Sequence, residues 1–293
     1  MKVAIYGRKP DEEKLPFIRL LFHELNRRKA GILVFKPFQR ELQEDIPDLG
    51  RLKNFHKHED LRGNTDYLIS IGGDGTLLDT LTFIRDSGIP VLGINIGRLG
   101  FLSSIGKEEI GHALNALEEG KCLIDKRSMI RLDAAPPLFG EINYGLNEFT
   151  IHKRESTSMI RINTYINEEF LTTFWADGLI VATPTGSTAY SLSCGGPILL
   201  PESKSFVITP VAPHNLSVRP IVVPDDSVIR FEPESRQDRF YCTLDSRQEE
   251  IRSQHELIIR KADFNFNLIR LPENNFLKTL RNKLHWGYDK RNF

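Results

Sequence analysis

Several features are scarce in this chain, and each scarcity narrows what it can be. Its 293 residues carry 39 Lys and Arg against 39 Asp and Glu, so the formal net charge is zero. That balance argues against a protein that coats a polyanion, and it leaves room for a local phosphate pocket. There are three cysteines, Cys122, Cys194 and Cys242, too widely spaced for a disulfide framework or a zinc set. They read as reduced, mostly buried thiols. No apolar run approaches the roughly 20 residues of a membrane span. The start, Met1-Lys2-Val3-Ala4-Ile5-Tyr6-Gly7, reads as a first strand and not as a secretion signal. A soluble, cytoplasmic protein is expected, with neither membrane nor nucleic acid as a partner. That first strand runs into Gly7-Arg8-Lys9 without a G-x-G-x-x-G fingerprint, so a conventional dinucleotide fold is not indicated. Repeats and low-complexity tracts are missing too.

What is present divides by texture. Up to about residue 124, strand-like runs (Val3–Tyr6, Ile32–Phe35, Tyr67–Ile71, Ile89–Ile94) alternate with helical spacing (Phe17, Leu20, Leu21, Leu25; then Ile110, Leu114, Leu117). The stretch from Gln39 to Arg62 reads as charged and irregular. Such alternation predicts an α/β, doubly wound, mostly parallel sheet. From 125 to 271 the runs are short and β-branched or alternating, from Met129–Leu132 to Phe266–Leu271, with Pro and Gly between them. This predicts a mainly antiparallel second domain, a β-sandwich, with a helix only after Thr188. Residues 272–293 predict one amphipathic helix (Phe276, Leu277, Leu280, Leu284) ending near Trp286-Gly287 and returning to the first domain.

The chain is organised around Asp66–Thr80. The apolar run Tyr67–Ile71 feeds Gly72-Gly73-Asp74-Gly75-Thr76, after which Leu77, Leu78, Leu81 and Ile84 recur at helical spacing. A strand, a glycine turn and a helix start make a phosphate cradle, because glycine admits close approach and the first helical amides are free. Asp74 is out of place there. A carboxylate repels phosphate unless a metal intervenes or the carboxylate takes a proton during reaction; the plainer alternative is a helix cap. A second polar cluster, Thr183-Pro184-Thr185-Gly186-Ser187-Thr188-Ala189-Tyr190, follows Asp177-Gly178 and could either cap a helix or hold a base and a ribose. Two such clusters on different domains suggest an interdomain cleft for a nucleotide.

Taken together, the Gly72–Thr76 turn, Gly93-Ile94-Asn95…Gly97…Leu99-Gly100-Phe101-Leu102, Asn147-Glu148, Asp177-Gly178 and the Thr183–Tyr190 stretch resemble the NAD kinase family in order and spacing. The resemblance implies ATP-dependent phosphorylation of the 2′-hydroxyl on the adenosine ribose of NAD, with a divalent metal such as Mg²⁺ held mainly by the ATP phosphates. It implies Asp74 as the acceptor of the hydroxyl proton, with Gly72, Gly73, Gly75 and Thr76 around phosphates. Asn147 and Glu148 would hold ribose hydroxyls, and Phe101, Thr185, Thr188, Ala189, Tyr190, Ser191, Leu192 and Ser193 the nucleotide. Asp177 would engage the nicotinamide end across a subunit boundary, with Ala212 lining the pocket, which implies a homodimer or homotetramer. Two departures stand out. Asp245-Ser246-Arg247-Gln248 replaces a usual Asp-Gly-Gln, which bears on Gln248 as a contact. Leu77-Leu78-Asp79 stands where relatives often place a basic residue, so Arg98 becomes the candidate phosphate cation. A lipid kinase of the same superfamily and a non-catalytic nucleotide sensor are the alternatives. The first should show an apolar or basic amphipathic entry surface, and the second has no use for a base at Asp74.

Overall fold

Buried runs such as residues 3–6 and 91–94 carry no charged or amide side chain, as suits strands covered on both faces. In the structure, a computed structural model describing residues 1–97, 99–154, 158–235 and 238–285, the chain forms two units. The first comprises residues 1–126 and 267–293, and the second residues 127–266.

The first unit is built on an eight-stranded sheet in the order Lys53–Phe55, Gly31–Phe35, Lys2–Gly7, Tyr67–Ile71, Val91–Asn95, Phe266–Arg270, Leu123–Arg127, with Ile105–Gly106 beside Val91–Asn95. The strands from Lys53–Phe55 to Val91–Asn95 pair in parallel. The chain winds outward from Lys2–Gly7 in one direction and then restarts at Tyr67–Ile71 in the other. Those two strands therefore flank the switch point of the sheet, beyond whose carboxyl end ligands bind in such folds. Helices Leu15–Arg27 and Ile110–Glu118 bury Leu21, Leu25, Ala113 and Leu114 against this sheet.

Two expectations change here. The strand at Phe266–Arg270, assigned by its texture to the β domain, pairs in parallel with Val91–Asn95 through Leu268. The second unit thus ends before residue 267, and the chain returns as a strand before the terminal helix. Gln39–Arg62 is not irregular: it holds helices Lys36–Leu42 and His58–Leu61 and an edge strand, Lys53–Phe55. Their charged residues face solvent while Phe38, Leu42, Phe55 and Leu61 carry the burial. The terminal helix runs Phe276–Leu284, capped by Asn275 Oδ1 accepting from the Lys278 amide, with His285 closing it at φ 50°. Its contacts within the unit are Phe276 on Phe101 (5.9 Å) and Lys283 Nζ on the Leu99 carbonyl (2.8 Å). The expected end at Trp286-Gly287 lies outside the described residues.

The second unit is a sandwich of two six-stranded antiparallel sheets. One has the order Ile221–Pro224, Ser205–Val211, Gly178–Ala182, Glu148–Lys153, Phe240–Leu244, Arg247–Ile251. The other has Glu169–Ala176, Ile160–Ile166, Ile229–Glu234, Glu256–Lys261, Ile130–Ala135, Tyr144–Gly145. Alternate residues of both meet in one core, where Phe149 stacks on Phe231 at 6.1 Å. Leu146 and Asn147 are the step by which the chain leaves one sheet and enters the other. Among the described residues no helix is long and apolar enough to cross a membrane.

Candidate active site

In the first unit, Gly72 leaves the strand at φ 151°, and a Cβ there would stand 2.5 Å from the Thr76 hydroxyl. Only glycine fits this turn. Gly73 precedes the helix Asp74–Asp79 and, with Gly75, is exposed, and the first amides of a helix lack intrahelical partners. Asp74 is held across the sheet end by the loop following Val91–Asn95. Its Oδ2 accepts from the Phe101 amide (2.8 Å), and its Oδ1 from those of Leu102 (3.1 Å) and Ser103 (2.9 Å). A carboxylate has about four lone-pair positions, so one remains on Oδ2 for a further donor. The fit is close: a Cβ on Gly100 would lie 1.9 Å from Asp74 Oδ1. At the far end of the helix, Asp79 accepts from Tyr6 (3.1 Å) and from Arg8 Nε (2.8 Å) beyond the first strand. Burial, and then Asp79, push the Tyr6 hydroxyl up to about 12.

In the second unit, the Asn147-Glu148 step is fixed from two sides. The Thr183 amide donates to the Asn147 carbonyl (2.9 Å), and the Thr183 hydroxyl to the Leu146 carbonyl (2.6 Å). Gly186 is pressed against this step, where a Cβ would come within 2.1 Å of the Asn147 oxygen. From the opposite side, Asp245 accepts from the amides of Leu146 (2.8 Å), Asn147 (2.7 Å) and Glu148 (3.2 Å). Glu148 itself has no such donors, and its Oε2 is buried without a hydrogen-bond partner. Burial first, and the Asp245 charge second, raise its carboxyl to about 8. Asp245 is also pushed up, chiefly by burial, against the opposing pull of its three amide donors.

The hydroxyl-rich turn is tightly packed. Thr185 accepts from Arg127 at 3.3 Å, Ser187 donates to the Pro184 carbonyl at 2.7 Å, and Thr188 donates to the Thr185 carbonyl at 3.2 Å. Tyr190 is 39% exposed and lies 5.7 Å from the His152 ring. Asp177 pairs with Lys153 at 2.6 Å, and its amide donates to the Val211 carbonyl, which places Ala212 beside it at φ 45°. Through Lys153 this corner adjoins a groove of about 560 Å³ whose lining includes Arg154, Arg161, Trp175 and His214.

The chain matches the ATP-NAD kinase N-terminal domain over residues 3–122 and the ATP-NAD kinase C-terminal domain over residues 146–271. It is 45% identical to the NAD kinase of Flavobacterium psychrophilum over 294 residues, with all of both chains covered. The Cytophaga hutchinsonii NAD kinase is likewise 45% identical over 293 residues, again with full coverage of each. Among solved structures, yeast NADH kinase complexed with NADH superimposes with a TM-score of 0.86 at 25% identity, covering 99% of this chain and 89% of that one. An NAD kinase from Archaeoglobus fulgidus in complex with ATP shares the fold, with a TM-score of 0.74 at 24% identity over 97% of this chain and 98% of that one. The chain belongs to the ATP-NAD kinase family.

Within this NAD kinase fold, the residues singled out from sequence separate into several groups. Asp74 and Phe101 are joined by a hydrogen bond at the glycine turn, and Asn147, Glu148, Thr185 and Thr188 are gathered around Thr183 and Gly186. Asp177 and Ala212 form a third group, while Ala189, Tyr190, Leu192 and Ser193 follow the hydroxyl turn into the helix Tyr190–Ser193. Ser191 points inward: its hydroxyl meets Thr209 at 2.8 Å in full burial, beneath Gly196. Gln248 is exposed opposite Thr243 in the hairpin ladder. Its neighbour Asp245, which sequence reasoning passed over, takes the Asn147 and Glu148 amides, and Arg247 the carbonyls of Ile142 and Tyr144. The only signal was the departure at Asp245-Ser246-Arg247-Gln248. Arg98 lies outside the described residues.

Proposed function

We propose that this chain transfers the terminal phosphoryl group of ATP to the 2′-hydroxyl of the adenosine ribose of NAD, giving NADP and ADP. The observation that carries the reading is the Asp74 carboxylate, fixed at a glycine turn by three amides with one acceptor position left on Oδ2. Asp74 takes the hydroxyl proton as the ribose oxygen forms its bond to phosphorus and the bond to the ADP oxygen breaks. The amides of the exposed Gly73 and Gly75 offset phosphate charge, as phosphoryl transfer requires. Among the described residues no three His, Cys, Asp or Glu side chains converge as a metal set. A divalent ion held mainly by the ATP phosphates would supply charge neutralisation on the phosphate oxygens.

Glu148 contributes differently. Neutral at pH 7 and with Oε2 buried and unpartnered, it donates a hydrogen bond to a ribose oxygen while Asn147 fixes a neighbouring hydroxyl. Thr185, Thr188 and Tyr190 contact the adenosine part and Asp177 the nicotinamide end, the latter in a homo-oligomer. With both domains matched to the same family, the lipid-kinase alternative has no observation in its favour. A coupled assay for NADP formation from NAD, ATP and Mg²⁺ tests the proposal. Absence of NADP, with phosphorylation of a diacylglycerol or sphingoid base in its place, would overturn it.

A further inference from the structure

The Asn147-Glu148 step lies where the chain crosses between the two sheets of the sandwich, with Glu148 paired to Ala182 and Thr183 holding the Leu146 and Asn147 carbonyls on one side. The opposite side is held by the tip of one hairpin. Strands Phe240–Leu244 and Arg247–Ile251 are joined by Asp245 and Ser246, with Leu244 opposite Arg247. From this tip Asp245 takes the amides of Leu146, Asn147 and Glu148, while its own amide donates to the Glu148 carbonyl at 2.9 Å. Arg247 grips the same segment by its carbonyls, with Nη2 on Tyr144 at 2.5 Å and Nη1 on Ile142. One side chain thus satisfies three donors, the other two acceptors, and together they fix residues 142–148 at both kinds of backbone group. The approach is close enough that a Cβ on Gly145 would sit 3.0 Å from Asp245 Oδ1. Asp245 adopts φ 52° to reach it, a conformation that Asp tolerates better than most residues.

We propose that Asp245 and Arg247 are positioning residues for the acceptor ribose: they touch no substrate and set where the Asn147 and Glu148 side chains stand. This rests on the assignment of those two residues to the ribose in the proposed function. Arg247 is suited because its rigid planar fork presents Nη1 and Nη2 to two carbonyls in a fixed geometry, which the rotatable ammonium of a lysine does not. Angular precision matters because a misplacement of about 1 Å in a positioning group can lower turnover on the order of a hundredfold.

The test compares Asp245→Asn, Arg247→Lys and, as a control, Lys261→Ala, which removes a 2.5 Å bridge to Asp225 elsewhere in the same unit. Steady-state KM is measured for NAD and for ATP, and amide hydrogen exchange is followed at Leu146–Glu148 without substrate. The expected result for Arg247→Lys is an NAD KM raised about tenfold, an ATP KM within about twofold, and exchange at Leu146–Glu148 accelerated about tenfold. Asp245→Asn, which turns an NH₂ toward amide donors, should show the larger exchange effect. Lys261→Ala should move neither KM nor exchange at those amides. Unchanged exchange, or KM values for NAD and ATP rising in equal proportion, overturns the proposal. Should Asp245→Asn fail to fold, Arg247→Lys decides, since it keeps the charge and loses only the fork. Should the wild-type chain form no NADP, the functional reading fails, while the exchange result still decides whether the hairpin holds the segment.

Discussion

Glu148→Gln removes a proton-binding group while keeping the size and polarity of the side chain, and its consequence is read most cleanly in stability against pH. In the unfolded chain this carboxyl ionises near its ordinary 4.5, and in the folded chain at about 8. Below the lower value both states hold the proton, and the buried group carries no charge penalty. Between the two values only the folded state keeps it, so the stability contributed by this group falls as pH rises. Above the upper value it is lost in full. At about 1.4 kcal/mol per pH unit, going from pH 5 to pH 8 costs the wild-type chain on the order of 4 kcal/mol through this one residue. For a unit of this size that corresponds to roughly 10 °C in melting temperature. Melting curves at pH 5, 6.5 and 8 should therefore show Glu148→Gln losing that much less than wild type across the interval. Parallel pH dependence in the two proteins would refute the reasoning, because it would mean that Glu148 is ionised or solvated alike in both states.

Asp74→Asn should lower NADP formation by roughly two to four orders of magnitude, the usual worth of a general base, measured in the coupled assay. The structure adds a second effect: the amide NH₂ would face one of the three amide donors, so exchange at Phe101–Ser103 should quicken. Gly100→Ala, which forces a Cβ to within 1.9 Å of Asp74 Oδ1, should reduce kcat while the melting temperature of the second unit's transition stays put. Ser191→Ala breaks a buried hydroxyl pair with Thr209 and should cost about 1–3 kcal/mol of stability with little change in NAD KM, read by denaturant unfolding and steady-state kinetics.

Much of this was legible before any coordinates. Tyr67–Ile71 announces a buried strand by composition, and Gly72 announces a tight turn into a helix, since at φ 151° it admits no Cβ beside Thr76. The alternating runs from Ile160–Ile166 to Phe240–Leu244 announce a sandwich because one face of each must be apolar. Signals failed where local pattern and tertiary role part. Phe266–Arg270 alternates like its β-domain neighbours, yet the parallel partner that claims it lies about 175 residues earlier in the chain, at Val91–Asn95. Ser191 sits in a run of hydroxyls that reads as ligand-binding, and only packing shows it turned toward Thr209.

What the chain settles by itself is therefore local: which stretches become strands, where glycine is obligatory, and which acids and hydroxyls stand at turns. Hydrophobic periodicity and backbone sterics act over a few residues and are written directly in the letters. What only tertiary structure decided is which of those groups are held and how they are charged. Asp74 gains its three amide donors from a loop 27 to 29 positions away, and Asp245 gains its own from 97 to 99 positions away. Glu148 keeps its proton because the folded chain buries it beside another carboxylate. Burial and field depend on the distances that folding creates, and no spacing along the sequence encodes them.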